Sequence, residues 1–250
     1  MNRRHALKAL AGLALCPLCA QVGFAAEGAH WGYEGATGPD HWGGVDAASK
    51  VCSAGSQQSP IDIRDAIKAR LPRLKTTWAR SADTIVNNGH TIQLNVAPGS
   101  TLSLGKDGYT LLQFHFHHPS EHTVSGKNSP MEVHFVHRNS AGGLAVVGAL
   151  MITGHTNVTF NKIVATMPAH EGEPVKAAAG IDPNKLLPPL RSYYRYAGSL
   201  TTPPCSETVE WLVLHQPIQV AKSDVEAFAR LFPMNARPVQ KDNRRFVLTS

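Results

Sequence analysis

Two short runs constrain this chain more than any other stretch: Leu-Leu-Gln-Phe-His-Phe-His at 111–117 and Met-Glu-Val-His-Phe-Val-His at 131–137. Residues i and i+2 of a strand project from one face. On that parity Gln113, His115 and His117 share a face, while Phe114 and Phe116 point to the other and can pack a core. The second run puts Glu132, His134 and Val136 on one face in the same way. If the two strands pair through the loop between them, three imidazoles converge. Three histidines with an open fourth position form the ligand set of a catalytic zinc site, whereas a structural site closes with a fourth protein ligand. A metal-bound imidazole also needs an acceptor on its other ring nitrogen. Gln113 and Glu132 each stand one same-face step before a histidine, where that acceptor belongs.

The rest of the pattern is that of a sheet protein. Short alternating runs at 84–87, 90–96, 109–118, 131–138, 144–152 and 208–215 are separated by turn signals. Asn87-Asn88-Gly89 predicts a tight turn between the first two. Helical signals are few. Residues 161–167 form a short helix stopped by Pro168, and 223–232 form a better one. In the latter Ser223 is the N-cap, Glu226 completes a capping box and Pro233 ends the helix. The expected fold is mainly β (α+β): one domain on a large, twisted, mostly antiparallel sheet with a few short peripheral helices. No internal repeat at a fixed period points elsewhere.

The first residues do not belong to that fold. Arg3, Arg4 and Lys8 precede an apolar stretch at 9–20, and Gly23-Phe24-Ala25 offers a small-residue cleavage site. This is the layout of a secretory signal peptide over 1–25, leaving 26–250 as the mature domain. The paired arginines leave twin-arginine export open beside ordinary secretion. Removing 1–25 lowers the net charge from +6 to +3, so half of the basicity is signal peptide. Arg64, Lys68, Arg70, Arg73 and Lys75 carry no interleaved aromatics and read as a solvated face, not a nucleic-acid surface. No apolar run is long enough to span a bilayer in the mature chain. Cys16 and Cys19 leave with the signal; Cys52 and Cys205 remain, as one disulfide of an exported protein or as two free thiols.

The chain resembles an α-class carbonic anhydrase of the exported bacterial type. The resemblance is carried by His30-Trp-Gly-Tyr33, Gln58-Ser-Pro-Ile-Asp62, Asn87-Asn-Gly-His90, Gln113 to His117, and Ser120-Glu-His-Thr123. Glu132 to His134, Ser199-Leu-Thr-Thr-Pro-Pro204 and Trp211 complete it, over essentially the whole mature sequence. It implies a twisted, mostly antiparallel sheet, one zinc ion per chain on His115, His117 and His134, and reversible hydration of CO2 to bicarbonate and a proton through zinc-bound hydroxide. Acidification of water by zinc is an effect for which carbonic anhydrases are themselves the reference case.

By the same correspondence Glu121 and Thr201 orient the nucleophile, and Gln113 and Glu132 back the zinc ligands. Val136, Val146, Leu200, Thr202, Val209 and Trp211 form the pocket for the small apolar substrate. His90 matches the proton shuttle, with Tyr33, Asn88 and Gln93 holding a water chain. Strict alternation would put His90 on the face of Ile92 and Leu94, so the turn at Gly89 has to break the parity. Gln93 stands where many relatives carry Asn, and His118 where many carry Trp or Thr. Cys52 and Cys205 match the disulfide of exported relatives. The resemblance further implies a periplasmic location, and homodimers are common among such relatives. Two other readings stand beside the enzyme: a catalytically silent binding module on the same fold, and a zinc ester hydrolase.

Overall fold

The six runs read as strands from the sequence are strands, and they lie together in one large mixed sheet. The computed structural model describes residues 30–250, so the expected signal peptide over 1–25 lies outside the described residues. Trp31–Ser250 forms one compact unit. Across its centre the sheet runs Thr84–Asn87, Ile92–Asn95, Asp107–His117, Met131–Arg138, Leu144–Thr153, Val209–Leu214 and Tyr193–Gly198. Neighbouring strands are antiparallel except at Leu144–Thr153, which runs parallel to Val209–Leu214 and to Ile218–Val220. A further parallel pair, Ile67–Lys68 on Leu248–Thr249, closes one end.

Alternation sorts the side chains into two apolar layers. Phe114, Phe116, Val133, Phe135, Val147 and Ala149 turn to one face, where both longer helices cover them. Val158–Thr166 contributes Phe160 and Ile163, and Lys222–Leu231 contributes Val225 and Phe228. Burying each large apolar side chain contributes about 1.5–3 kcal/mol. The second layer holds Val146, Val209, Trp211, Val213 and Tyr196, with Val136 and Leu200 packed against it. Leu144–Thr153 is buried on both faces, as suits a strand with a parallel neighbour.

Two helix boundaries differ from the sequence expectation. The first helix starts earlier, because Asn157 caps it: its side chain accepts from the N–H groups of Thr159 and Phe160. The second starts at Lys222, so Ser223 lies inside the first turn and does not cap. Extended Ala221 takes the cap position instead, its carbonyl accepting from Asp224 and Val225. At the other end of the sheet Gly89, with φ +82°, ends the Asn87-Asn88-Gly89 turn. The following strand begins only at Ile92, so His90 belongs to the turn and escapes strand parity.

Candidate metal centre

Register builds the site row by row. His115, His134, Gly148 and Val213 stand opposite one another across four strands. The next row along the same face is His117, Glu132 and Leu150; on the other side lie Gln113, Val136, Val146 and Trp211. The two histidine runs therefore pair as strands, and the ring centroids of His115, His117 and His134 lie 4.5–5.4 Å apart. One ring nitrogen from each lies within 4.8 Å of the others. The row of Val136, Val146 and Trp211 places an apolar wall beside them.

Two of the imidazoles commit one nitrogen to a hydrogen bond, and the third sets one against a carboxylate. His115 Nδ1 donates to Gln113 Oε1 at 2.8 Å, and His117 Nδ1 donates to the carbonyl oxygen of Asn235 at 2.7 Å. His134 Nε2 lies 2.9 Å from Glu132 Oε1. That leaves Nε2 of His115 and His117 and Nδ1 of His134 facing inward. His117 Nε2 is 3.5 Å and His134 Nδ1 3.8 Å from Glu121 Oε2. Among the described residues His117 Nε2, His134 Nε2 and Glu121 Oε2 are buried with no partner in hydrogen-bond geometry, so His134 Nε2 meets Glu132 as a close ion-pair contact. Burial, then mutual repulsion of positive charge, holds the His115 pKa well below the ordinary histidine value. His117 is pushed down to about 4 by burial, and His134 is lowered too. Neutral imidazoles with lone pairs aimed at one point are what a cation requires.

Two carboxylates anchor this cluster in different ways. Glu132 is fully buried, which opposes ionisation, yet the charges and hydrogen bonds of His122 and His134 hold it well below the carboxylate range. Its Oε2 accepts from the N–H groups of Glu121 and His122 at 3.0 and 2.9 Å, and its Oε1 from His122 Nδ1 at 2.8 Å. His122 Nε2 meets the Tyr196 hydroxyl at 2.6 Å, and that hydroxyl lies 3.0 Å from Ser59 Oγ. Glu121 is pushed up to about 7 by burial, opposed by His134, the Arg237 N–H and the Thr201 hydroxyl. A divalent cation at the triad would favour its ionised form.

Thr201 follows the strand Tyr193–Gly198 in a pinned loop. Ser199 N–H donates to Ser59 Oγ, Trp211 Nε1 to Ser199 O, Leu200 N–H to Ser206 O and Cys205 N–H to Thr202 O. Cys52 and Cys205 form a disulfide, closing that loop against the N-terminal segment. Val136, Val146, Leu200, Val209 and Trp211 fall into one apolar cluster. His90 stacks on Trp31 with centroids 3.6 Å apart, and Trp31 meets Tyr33 edge-on at 5.6 Å. Asn88 Oδ1 is used by the turn, accepting from the N–H groups of His90 and Thr91. Gln93 stands opposite His115, and its Nε2 donates to Asn95 Oδ1 at 2.8 Å. His118 turns away, its Nδ1 donating to Pro233 O.

These features match one family along most of the chain. Residues 37–250 match the model of eukaryotic-type carbonic anhydrase. The chain belongs to this family. It is 41% identical to the carbonic anhydrase of Pectobacterium carotovorum over 90% of its own length and 92% of that protein. With the carbonic anhydrase of Neisseria gonorrhoeae it shares 42% identity over 92% of both. The α-carbonic anhydrase of Thermovibrio ammonificans, solved with the inhibitor sulfanilamide, superposes with a TM-score of 0.86 at 44% identity, covering 88% of this chain and 99% of that one. As a carbonic anhydrase the chain is an enzyme acting on a small molecule, CO2. Among the described residues no helix is long and apolar enough to cross a membrane.

Sequence reasoning missed several members of the site. Asn235 receives His117 through a backbone carbonyl, which leaves no side-chain signature. Arg237, Tyr196 and Ser59 act from loops and strands far apart in sequence, and only the fold brings them together.

Proposed function

We propose that the mature chain hydrates CO2 reversibly to bicarbonate and a proton at a single zinc ion held by His115, His117 and His134. The observation that carries this is the triad itself: three imidazoles whose pKa values burial lowers, each with its outer nitrogen against a carbonyl or carboxylate oxygen, and with His117 Nε2 buried and without a hydrogen-bond partner among the described residues. Three nitrogen ligands with a free fourth position suit catalytic zinc. When bound, the zinc supplies Lewis acidity that makes a coordinated water nucleophilic near neutral pH.

The chain's own groups do the rest. Ionised Glu121 holds the Thr201 hydroxyl proton, which leaves Thr201 Oγ1 as an acceptor. Only a group with a hydrogen to give can rest against it, and that fixes the nucleophile's lone pair toward the substrate. The wall of Val136, Val146, Leu200, Val209 and Trp211, with Thr202 at the loop, receives apolar CO2. His90 carries the released proton to solvent, since histidine is the side chain that changes charge near neutral pH. Its stack on Trp31 places the ring, and Tyr33, Asn88 and Gln93 line the water path to it. The disulfide supports an exported mature chain, with 1–25 as its signal and the periplasm as its location.

The test is stopped-flow CO2 hydration with a pH indicator on the zinc-loaded chain, repeated after chelation and on His134→Ala. Fast turnover that disappears in both controls supports the reading. Background turnover with one zinc bound per chain would overturn it in favour of a binding module, and ester turnover outpacing CO2 would favour a hydrolase.

A further inference from the structure

Gly148 is directly opposite His134 in the sheet. A Cβ placed there would lie 2.8 Å from Glu132 Oε1, but 3.6 Å from Val213 Cγ2 and 3.8 Å from His134 Cδ2. The last two distances are ordinary contacts. The clash is with one carboxylate oxygen alone. Backbone conformation does not explain the glycine, because Gly148 is not among the residues with positive φ. Its strand neighbours Val147 and Ala149 carry side chains in the ordinary way.

Glu132 has no slack with which to avoid such a clash. An ionised carboxylate offers about four acceptor positions. Here Oε1 accepts from His122 Nδ1 at 2.8 Å and lies 2.9 Å from His134 Nε2 in a close contact outside hydrogen-bond geometry, while Oε2 accepts from two backbone N–H groups. The backbone pair fixes the position of Oε2, and His122 Nδ1 holds Oε1. Any move that relieves a methyl at position 148 therefore draws Oε1 away from the two imidazoles.

We propose that Gly148 is a positioning residue of the metal centre: the space left by its missing side chain is where Glu132 Oε1 reaches His134. The inference rests on the reading of His115, His117 and His134 as zinc ligands. The partner on a ligand's second nitrogen sets its orientation and tautomer, and losing it typically costs about 10–100-fold in metal affinity or activity. A single methyl, added at a position that touches neither metal nor substrate, is enough to disturb that partner.

The experiment is zinc release to a colorimetric chelator from the loaded protein, with the absorption spectrum of the cobalt-substituted protein as a second readout. Four chains are compared: wild type, Gly148→Ala, Glu132→Asp and the double variant. Gly108→Ala is the control, because a Cβ at Gly108 meets nothing within 4 Å. We expect zinc release about 10–100-fold faster in Gly148→Ala, a changed cobalt spectrum, and wild-type behaviour in Gly108→Ala. Aspartate, one methylene shorter, vacates the contested space, so Gly148→Ala should add nothing in the Glu132→Asp background. Release within about twofold of wild type in Gly148→Ala would overturn the inference, as would an effect that adds in full to Glu132→Asp or a fold lost in both backgrounds. If wild type binds no zinc, or His134→Ala keeps its zinc as tightly as wild type, it is the site assignment that fails.

Discussion

Arg237 donates its backbone N–H to Glu121 Oε1 at 2.9 Å, while its guanidinium bonds the Gln58 side chain and the carbonyls of Ser59 and Cys52. One residue thus ties the carboxylate behind Thr201 to the segment that carries the disulfide. Its guanidinium also lies 5.5 Å over the Trp42 ring. With one oxygen held by Arg237, the other is left to Thr201 and faces His117 and His134.

Glu121→Gln should therefore reverse a proton without moving an atom far. The amide oxygen still accepts from Arg237, which turns the NH2 group toward Thr201. Thr201 then accepts from the amide and must donate into the site, the wrong sense for the nucleophile it orients. We expect kcat/KM for CO2 to fall about 10²–10³-fold, the scale for losing one preorganised polar contact. Zinc content and melting temperature should stay near wild type. Stopped-flow hydration with metal analysis on the same sample checks this.

Val146→Phe probes the apolar wall. Val146 is buried between Val136 and Trp211 in the row beside the triad. A phenyl ring there fills the space assigned to CO2 and leaves the polar groups of the site alone. The expected outcome is a loss of at least about tenfold in kcat/KM with zinc affinity unchanged, and an overpacking cost of about 1–3 kcal/mol in urea unfolding. Unchanged turnover would place the substrate elsewhere.

The disulfide spans 153 residues, a long loop for the unfolded chain to close. Chain entropy sets an upper value of about 5 kcal/mol, with about 2–4 kcal/mol the usual yield. Cys52→Ser with Cys205→Ser should lose stability on that scale in denaturant titration. Turnover should fall as well, since Cys205 N–H bonds Thr202 beside Thr201.

Much of this site was legible because strand parity is a strict rule. Spacing alone put Gln113, His115 and His117 on one face of their strand and Glu132 and His134 on one face of theirs; that the strands pair, with His134 on His115, came from the structure. What parity does not reach stayed hidden. His90 was ambiguous until the strand proved to begin at Ile92, two residues after it. The strand Tyr193–Gly198 was unread because Tyr-Tyr-Arg-Tyr alternates weakly, though it supplies Tyr196 and leads into Thr201. Ser223 looked like a cap because Glu226 stands three residues on, as in a capping box, but backbone geometry gave the place to Ala221. Gly148 carried no signal at all, since a glycine's function here is a space in another strand.

His137 is the buried histidine that the site does not use, and it makes the stability of this chain depend on pH. Its Nδ1 donates to Ala145 O at 3.2 Å, its ring lies 5.4 Å from Trp78, and its Nε2 has no hydrogen-bond partner among the described residues. Burial pushes its pKa down to about 4, against the pull of the Ala145 and Phe135 carbonyls. In the unfolded chain a histidine titrates near about 6.5. Above that value both states are neutral and pH has no effect through this group. Between about 6.5 and about 4 the unfolded chain binds the proton and the native chain does not, so stability falls as pH falls. Below about 4 both are protonated and the loss stops, having reached up to about 3 kcal/mol. His137→Gln removes the titration, so the stability advantage of wild type over the variant should shrink by up to that amount between about pH 7.5 and about pH 4. Urea unfolding of the zinc-free chains measures this directly, because metal release is excluded and the remaining histidines contribute alike to both. An advantage that stays constant across the window would mean that His137 takes up its proton without unfolding.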